Sequence, residues 1–221
     1  MDRREIGVDS RWIGMGASCL MIFIWLSVLG FPQEVEMVAL VVIAAIIQAV
    51  AGYMMGTYVD KLRRMAYHDS LTGVLVNRRF IDKLEHELRL AKRNQYAVTL
   101  LFIDLDNFKE FNDRYGHIKG DQLLCQFAEL LQVSVRRQDA VGRWGGEEFV
   151  VLLPQTETKV ALGVGERIQK QVRSLLSGVT VSIGVASYPL HADSAKELTE
   201  VADTLMYEAK KKKDCMMAAT N

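Results

Sequence analysis

The stretch AVGRWGGEEFVVLL, residues 140–153, contains two apolar segments that meet at a pair of glycines. The segments Ala140–Trp144 and Glu148–Leu153 are rich in strand-forming residues, and Gly145-Gly146 suits the tight turn of a β-hairpin. We therefore predict two antiparallel strands that are joined at this turn. Glu147 and Glu148 follow the glycines directly, so the hairpin carries two carboxylates at its turn.

A further strand is predicted upstream of the hairpin. Residues 97–103 (AVTLLFI) form a continuous apolar run, which is typical of a central strand that is covered on both faces. The run ends at Asp104-Leu105-Asp106. Carboxylates at a strand end and at a turn can converge on a magnesium ion, which takes one or two of them and completes its shell with water and substrate phosphate. Acids that are simply solvated in loops are the alternative, because spacing alone does not distinguish the two.

The rest of the soluble sequence alternates helices with a few strands. Asn77 is predicted to cap a helix whose buried face carries Phe80, Ile81, Leu84 and Leu88. The other predicted elements are helices near 108–115, 118–135, 156–176 and 195–213 and a strand over 179–186. This order predicts an α+β domain with a mixed or antiparallel sheet.

Two uncharged stretches, Trp12–Gln33 and Met37–Val59, precede this domain. Each is long enough for a helix to cross the ~30 Å hydrocarbon core of a bilayer, so we predict two transmembrane α-helices. A cleaved signal peptide is the alternative for the first stretch, but Phe31–Glu34 offers no cleavage site of small residues and a second span follows at once. The predicted organisation is a transmembrane hairpin with a connecting helix in residues 1–66 and a soluble domain in residues 67–221.

Positive charges flank the two predicted spans on one side only. The flanking cations are Arg3, Arg4 and Arg11 before the first span and Lys61, Arg63 and Arg64 after the second. The loop Pro32–Glu36 between the spans contains neither lysine nor arginine. By the positive-inside rule both chain ends face the cytoplasm. We therefore predict a multi-pass protein of the cytoplasmic (inner) membrane whose soluble domain is cytoplasmic.

Charge and cysteine content give no indication of nucleic-acid binding, a zinc site or a disulfide framework. The formal net charge is zero, so the sequence does not indicate a nucleic-acid-binding surface. Cys19, Cys125 and Cys215 are scattered, and no pair has the spacing of a zinc site or of a disulfide framework.

The segment Arg143–Phe149 (RWGGEEF) resembles the signature hairpin of the GGDEF family of diguanylate cyclases, in its GGEEF form. Four further segments resemble motifs of this family and occur in the family's order. They are Asp69–Gly73 with Asn77–Arg79, Phe102–Lys109 with Asn112-Asp113 and Gly116–Asp121, Ser182–Ala186, and Ala202–Lys210. The resemblance covers about residues 67–213, and five ordered motifs make a chance match implausible.

The resemblance implies a ferredoxin-like palm and a nucleotidyltransferase that joins two GTP molecules into cyclic di-GMP with release of two pyrophosphates. It also implies two divalent ions, Mg²⁺ or Mn²⁺, in each active site. Because one domain holds one GTP, two domains must face each other in a homodimer. Ala44, Gln48, Gly52 and Gly56 share a helix face on which small residues would allow close helix contact, although glycine is common in membrane helices in general.

The resemblance further implies roles for individual residues. The metal ligands would be the side chains of Asp104 and Glu147 and the backbone carbonyl of Leu105. The catalytic residues would be Glu147, Glu148, Lys109 and Arg143, where Glu148 either joins the metal ligands or helps to deprotonate the 3′-hydroxyl. The substrate-binding residues would be Asn112 and Asp121 for guanine, Asn107, Phe108, Lys109 and Lys210 for the triphosphate, and Gly145 and Gly146 for close approach of the nucleotide. Arg136 and Asp139, an RxxD motif five residues before the hairpin, would form an inhibitory site for the product, cyclic di-GMP.

Two departures from the family pattern leave other functions open. Lys213-Asp214-Cys215 stands where the family usually has Gly-Arg-Asn or Gly-Arg-Asp, so a phosphate-binding arginine is absent and Lys211, Lys212 or Lys213 is left as a partial substitute. The stretch between Arg173 and Val179 is also shorter than usual. The alternatives are a catalytically weak module that binds GTP or cyclic di-GMP, and a mononucleotide cyclase on the same palm.

Overall fold

The computed structural model describes residues 10–29, 35–176 and 178–219, and the chain divides into two compact units, Met1–Ala66 and Tyr67–Asn221. The first unit holds α1 (Ser10–Leu29) and most of α2 (Val35–Tyr67). Within the described ranges one helical stretch, Val38–Leu62, is long and apolar enough to cross a membrane, and length and composition are the only grounds for this assignment. The described residues exclude the cations Arg3 and Arg4 and also residues 32–34 of the predicted loop Pro32–Glu36.

The helix face with small residues is partly covered within the first unit. The Ser18 hydroxyl of α1 donates to the Gln48 carbonyl of α2 at 3.1 Å, and the Gln48 amide contacts Met21 Sδ at 3.5 Å. Gly52 is half-buried and Gly56 is buried. The α1–α2 contact therefore uses part of the face that we considered for contact between two copies of the chain.

The second unit is an α+β domain with a mixed sheet, as predicted. Its elements are β1 (Leu75–Val76), α3 (Asn77–Asn94), β2 (Val98–Leu105), α4 (Phe108–Tyr115), α5 (His117–Ser134), β3 (Ala140–Gly145), β4 (Glu148–Pro154), α6 (Thr158–Leu175), β5 (Val181–Tyr188), α7 (Ala195–Lys212) and β6 (Met216–Ala218). The strand order is β1-β3-β4-β2-β5-β6. The central strand β2 is antiparallel to β4 and β5, whereas β1 and β6 pair in parallel with β3 and β5.

The sheet separates two hydrophobic cores, and β2 contributes to both. Leu101, Ile103 and Leu105 belong to the core beneath α5 and α6, whereas Leu100 and Phe102 belong to the core beneath α3 and α7. Side chains alternate between the faces of a strand, so a strand that is covered on both faces needs apolar residues at every position. This explains the continuous apolar run in the sequence.

The structure corrects the prediction for the start of α3. Asn77 is the first helical residue and Val76 is the capping position, without a side-chain cap. Because β1 passes directly into α3, no loop residue is left to act as a cap. The Asn77 amide instead donates to the Trp144 carbonyl at 3.4 Å, which connects α3 to the hairpin.

Candidate active site

The end of β2 and the glycine turn of the hairpin lie side by side. Antiparallel pairing places Asp104 opposite Glu148, and the Leu105 N–H donates to the Glu147 carbonyl at 3.4 Å. Gly146 adopts a positive φ of 39°, which glycine tolerates at a tight turn. The carboxylates that the sequence predicted to converge are therefore neighbours, because strand register fixes their positions.

Lys210 of α7 contacts two of these carboxylates. Its Nζ lies 2.7 Å from Asp104 Oδ2 and 3.7 Å from Glu147 Oε1. Asp104 is 1% exposed, and its second oxygen, Oδ1, is buried without a hydrogen-bond partner. A buried carboxylate oxygen without a hydrogen-bond partner is costly, and a water molecule or a cation can satisfy it. The neighbouring carboxylate of Glu147 makes a cation a suitable partner for this oxygen.

Burial and charge shift the acid–base equilibria of this cluster. Burial raises the pKa of Asp104 to about 6, although the hydrogen bond from Lys210 opposes the shift. Burial and the nearby carboxylate of Asp203 raise the pKa of Glu148. For Lys210, burial lowers the pKa, but the contact with Asp104 and the charges of Glu147 and Glu148 outweigh it and raise the pKa overall. A metal ion at the cluster would reverse the shift of Asp104, because a cation favours the ionised carboxylate.

The donor set fits a magnesium-type ion. No group of three or more His, Cys, Asp or Glu side chains that could hold a metal by themselves occurs in the described part of the chain. Two carboxylates and a backbone carbonyl are nevertheless a sufficient protein contribution for Mg²⁺, which keeps several waters and binds substrate phosphates directly.

The neighbouring acid, Asp106, has a different environment. It is 2% exposed, and its two oxygens accept hydrogen bonds from the Ser182 hydroxyl at 2.7 Å, the Thr180 hydroxyl at 2.6 Å and the Asp214 N–H at 2.8 Å. Through these hydrogen bonds, Asp106 links the end of β2 to the start of β5 and to the C-terminal tail.

The two residues that the resemblance implies for guanine lie on α4 and α5. Asn112 is on α4 and its Oδ1 is buried without a partner, while Asp121 is exposed on the first turns of α5. A Cβ on Gly120 would lie 1.8 Å from Asn112 Oδ1. Gly120 therefore makes room for the Asn112 side chain, a role that the sequence pattern alone did not reveal.

The residues implied for the triphosphate surround the start of α4. Asn107 has a left-handed conformation with φ of 59° immediately before the helix, and Phe108 is the first helical residue. Lys109 is exposed on the first turn. Backbone N–H groups at a helix N-terminus favour bound anions. Lys213 of the C-terminal tail donates a hydrogen bond from Nζ to Asn107 Oδ1.

Arg143 connects the hairpin to the segment Asp69–Gly73. Its Nε and Nη2 donate to the Gly146 carbonyl at 3.0 and 2.7 Å, and its Nη1 pairs with Asp69 Oδ1 at 3.0 Å. Burial would raise the pKa of Asp69, but hydrogen bonds from Thr72 and Arg143 lower it overall. In the structure Arg143 therefore shapes the turn that carries the glutamates.

The RxxD motif forms a local loop between α5 and β3. The Arg136 N–H donates to Asp139 Oδ2 at 2.7 Å, and the Asp139 N–H donates back to the Arg136 carbonyl at 3.0 Å. Asp139 Oδ1 is buried without a partner, and burial raises the pKa of this carboxyl against the effect of Arg136 and Arg167. The Arg136 side chain is exposed, and its charge acts on the carboxylate of Asp139 in the same motif.

Comparison with known proteins agrees with this geometry. Residues 66–215 match the family model described as "Diguanylate cyclase, GGDEF domain". Diguanylate cyclase DgcM of Escherichia coli strain K12 is 43% identical over 157 residues, which are 68% of this chain and 38% of DgcM. The matched segment therefore spans less than half of the length of that relative.

Two solved structures have the same domain fold. The coiled coil and GGDEF domain of DgcB from Caulobacter crescentus, in complex with c-di-GMP, matches 80% of this chain and 99% of that chain with a TM-score of 0.74 and 27% identity. The active GGEEF domain of a diguanylate cyclase from Vibrio cholerae matches 66% of this chain and 97% of that chain with a TM-score of 0.62 and 27% identity. The chain described here belongs to the GGDEF family of diguanylate cyclases.

Proposed function

We propose that this protein is a diguanylate cyclase that condenses two GTP molecules into cyclic di-GMP and releases two pyrophosphates. The observation that carries the proposal is the unpartnered, buried Oδ1 of Asp104 beside the two glutamates of the hairpin turn. A site that needs a cation beside phosphate-binding amides suits phosphoryl transfer. The relatives named as diguanylate cyclases, one of them with a GGEEF domain, support the same reaction.

The proposed metal ligands are Asp104, the carbonyl of Leu105 and Glu147, which would hold two Mg²⁺ or Mn²⁺ ions per active site. Divalent ions supply positive charge against the phosphate oxygens during displacement. Lys210 contacts the same carboxylates and has a flexible side chain, so it can exchange a carboxylate contact for a phosphate contact. Asn107, Phe108 and Lys109 would hold the rest of the triphosphate.

The proposed chemistry is in-line displacement at phosphorus. The 3′-hydroxyl oxygen of one GTP forms a bond to the α-phosphorus of the other, the bond to the β-phosphate breaks, and pyrophosphate leaves with the electron pair. Glu148 would accept the hydroxyl proton, since a raised pKa makes its carboxylate a stronger base than an ordinary glutamate. Asn112 and Asp121 would orient guanine so that both reacting atoms are aligned.

The reaction demands a homodimer, because each domain would hold one GTP and the new phosphodiester bonds join two GTP molecules. We propose that two transmembrane helices anchor the protein in the cytoplasmic membrane, with the catalytic domain inside. The apolar stretch Val38–Leu62 and the distribution of flanking cations support this arrangement.

Product inhibition is the proposed role of Arg136 and Asp139. An exposed arginine next to a fixed carboxylate can bind a phosphate of cyclic di-GMP through a forked pair of hydrogen bonds. The DgcB domain with bound c-di-GMP is a structural relative that supports recognition of the product.

The test is to incubate the full-length protein, in detergent or lipid, with GTP and Mg²⁺ and to separate the products by chromatography. We expect one cyclic di-GMP for every two pyrophosphates. The altered tail, Lys213-Asp214-Cys215, favours a second candidate, a binding module with little turnover. Such a module would bind GTP but yield neither product, and a mononucleotide cyclase would yield a monomeric cyclic nucleotide instead.

A further inference from the structure

The residue that follows α7 has an unusual backbone conformation for a lysine. Lys213 adopts φ of 57° and ψ of 156°, and Asp214 follows with φ of 46°. Glycine adopts such angles without a steric penalty, whereas a residue with a Cβ does not. Backbone strain of this kind persists where the surrounding contacts hold it, and it is often found where a side chain has a functional role.

Contacts on both sides fix the tail against the loop that precedes α4. The Asp214 N–H donates to Asp106 Oδ2 at 2.8 Å, and the Asp214 carboxylate accepts from Arg173 Nε at 2.9 Å. The Cys215 carbonyl accepts from the Ile183 N–H at 2.9 Å. These contacts hold the ammonium group of Lys213 beside Asn107, directly before the first turn of α4.

Three lysines of this segment differ in their partners. Lys210 pairs with Asp104 and Glu147, and Lys211 pairs with Glu208. Lys213 instead contacts the neutral amide oxygen of Asn107. An ammonium on a neutral acceptor can move to an anion without leaving a carboxylate unpaired.

We propose that Lys213 is a phosphate-binding residue of the GTP site, which contacts the polyphosphate chain together with Lys210 and the N-terminal amides of α4. Lys210 already contacts Asp104, whose second oxygen, Oδ1, is buried without a hydrogen-bond partner and is therefore open to a ligand. Lys213 thus replaces the arginine that the family pattern would place at Asp214. The inference rests on the proposed function, and it selects Lys213 from the three lysines that the sequence left open.

The test compares Lys213→Ala and Lys213→Gly with the charge-matched control Lys212→Ala in the full-length protein. The ligands are the α,β-methylene analogue of GTP, which cannot release pyrophosphate, and GMP. We expect both Lys213 variants to weaken binding of the analogue about tenfold and to leave GMP binding unchanged. Lys212→Ala should not change either affinity, because the exposed Lys212 lies on α7.

The glycine variant separates binding from structure. Lys213→Gly removes the backbone strain, so its midpoint of thermal unfolding should be equal to or higher than that of the wild-type protein while its binding of the analogue is weakened about tenfold. The inference is overturned if Lys213→Gly binds the analogue as tightly as the wild type, if GMP binding falls in parallel, or if Lys212→Ala has the same effect. Since the analogue does not react, a chain that binds it through Lys213 but forms no cyclic di-GMP would contradict the proposed function alone.

Discussion

Asp104 combines almost complete burial with one oxygen that has no partner, and its pKa is raised to about 6 because burial disfavours the charged form. The unfolded chain holds an ordinary aspartate with a pKa of about 4. Between these values the folded protein binds more protons than the unfolded protein does. The free energy of unfolding must therefore fall as the pH rises through this window.

The first prediction concerns this pH dependence. In the absence of divalent metal, the free energy of unfolding of the wild-type protein should fall by up to roughly 3 kcal/mol between about pH 4 and pH 6 relative to that of Asp104→Asn. Denaturant unfolding of both proteins at several pH values measures the difference. Mg²⁺ should reduce this pH-dependent difference between the two proteins, because a bound cation lowers the pKa of Asp104. Parallel pH profiles for the two proteins would contradict the assignment of an ionisable, buried Asp104.

The second prediction concerns Gly120. Gly120→Ala places a Cβ 1.8 Å from the present position of Asn112 Oδ1, so the Asn112 side chain must move. We expect KM for GTP to rise about tenfold, since a displaced amide loses its hydrogen bond to guanine. Gly163→Ala on α6 is the matched control, because a Cβ there meets nothing within 4 Å. Equal KM values for both variants would contradict the role of Asn112 in guanine binding.

At the scale of elements, the ion pair between Asp69 and Arg143 joins two segments that are distant in sequence. The side chains are 22% and 16% exposed, so solvent screens this pair less than a surface pair. Arg143 also donates hydrogen bonds to the Gly146 carbonyl. A substitution of Asp69 should therefore change the position of the turn that carries Glu147 and Glu148.

The third prediction follows from this connection. Asp69→Ala and Arg143→Ala should each lower kcat about tenfold. The kcat of the double variant should be no lower than that of the more severe single variant, because both substitutions remove the same ion pair. Lys196→Ala with Glu200→Ala, an exposed pair on α7 with a distance of 3.7 Å, is the control and should have little effect. Additive losses in the Asp69 and Arg143 cycle would mean that the two residues act independently.

Elements with strong local patterns could be predicted from the sequence, whereas those made by tertiary pairing could not. The apolar run before Asp104 predicted β2, and the glycine pair predicted the hairpin. The short strands β1 and β6 exist because Leu75–Val76 and Met216–Ala218 pair with β3 and β5, and neither segment has a local signal of its own. The same limit applied to Asn77, whose partner is 67 residues away.

The candidate site shows the same division. The sequence indicated the strand end at Asp104 and the turn at Glu147 and Glu148, but the pairing of β2 with β4 that brings them together comes from the structure. The contact of Gly120 with Asn112, the role of Asp106 as a link and the position of Lys213 depend on how helices and the tail pack. Sequence patterns do not encode these contacts locally.

At the scale of the whole molecule, regulation would depend on the loop between α5 and β3. Arg136→Ala should raise the inhibition constant for cyclic di-GMP about tenfold, because a charge-assisted hydrogen bond to phosphate is lost. Initial rates with added product measure this constant. Arg137→Ala removes the same charge from the same loop and is the control. An unchanged inhibition curve for Arg136→Ala would contradict an inhibitory product site at this motif.

In the proposed mechanism, acidic groups from the end of β2 and from the hairpin turn act together on GTP. The most direct measurement is the rate of cyclic di-GMP formation by Glu147→Ala and by the wild-type protein, at equal concentration and with Mg²⁺. Glu147 is partly exposed and its carboxylate lies 3.7 Å from Lys210 Nζ, so the variant should keep its thermal stability. We predict that its rate falls by roughly 10²- to 10³-fold. A folded variant that forms cyclic di-GMP at nearly the wild-type rate would contradict the account.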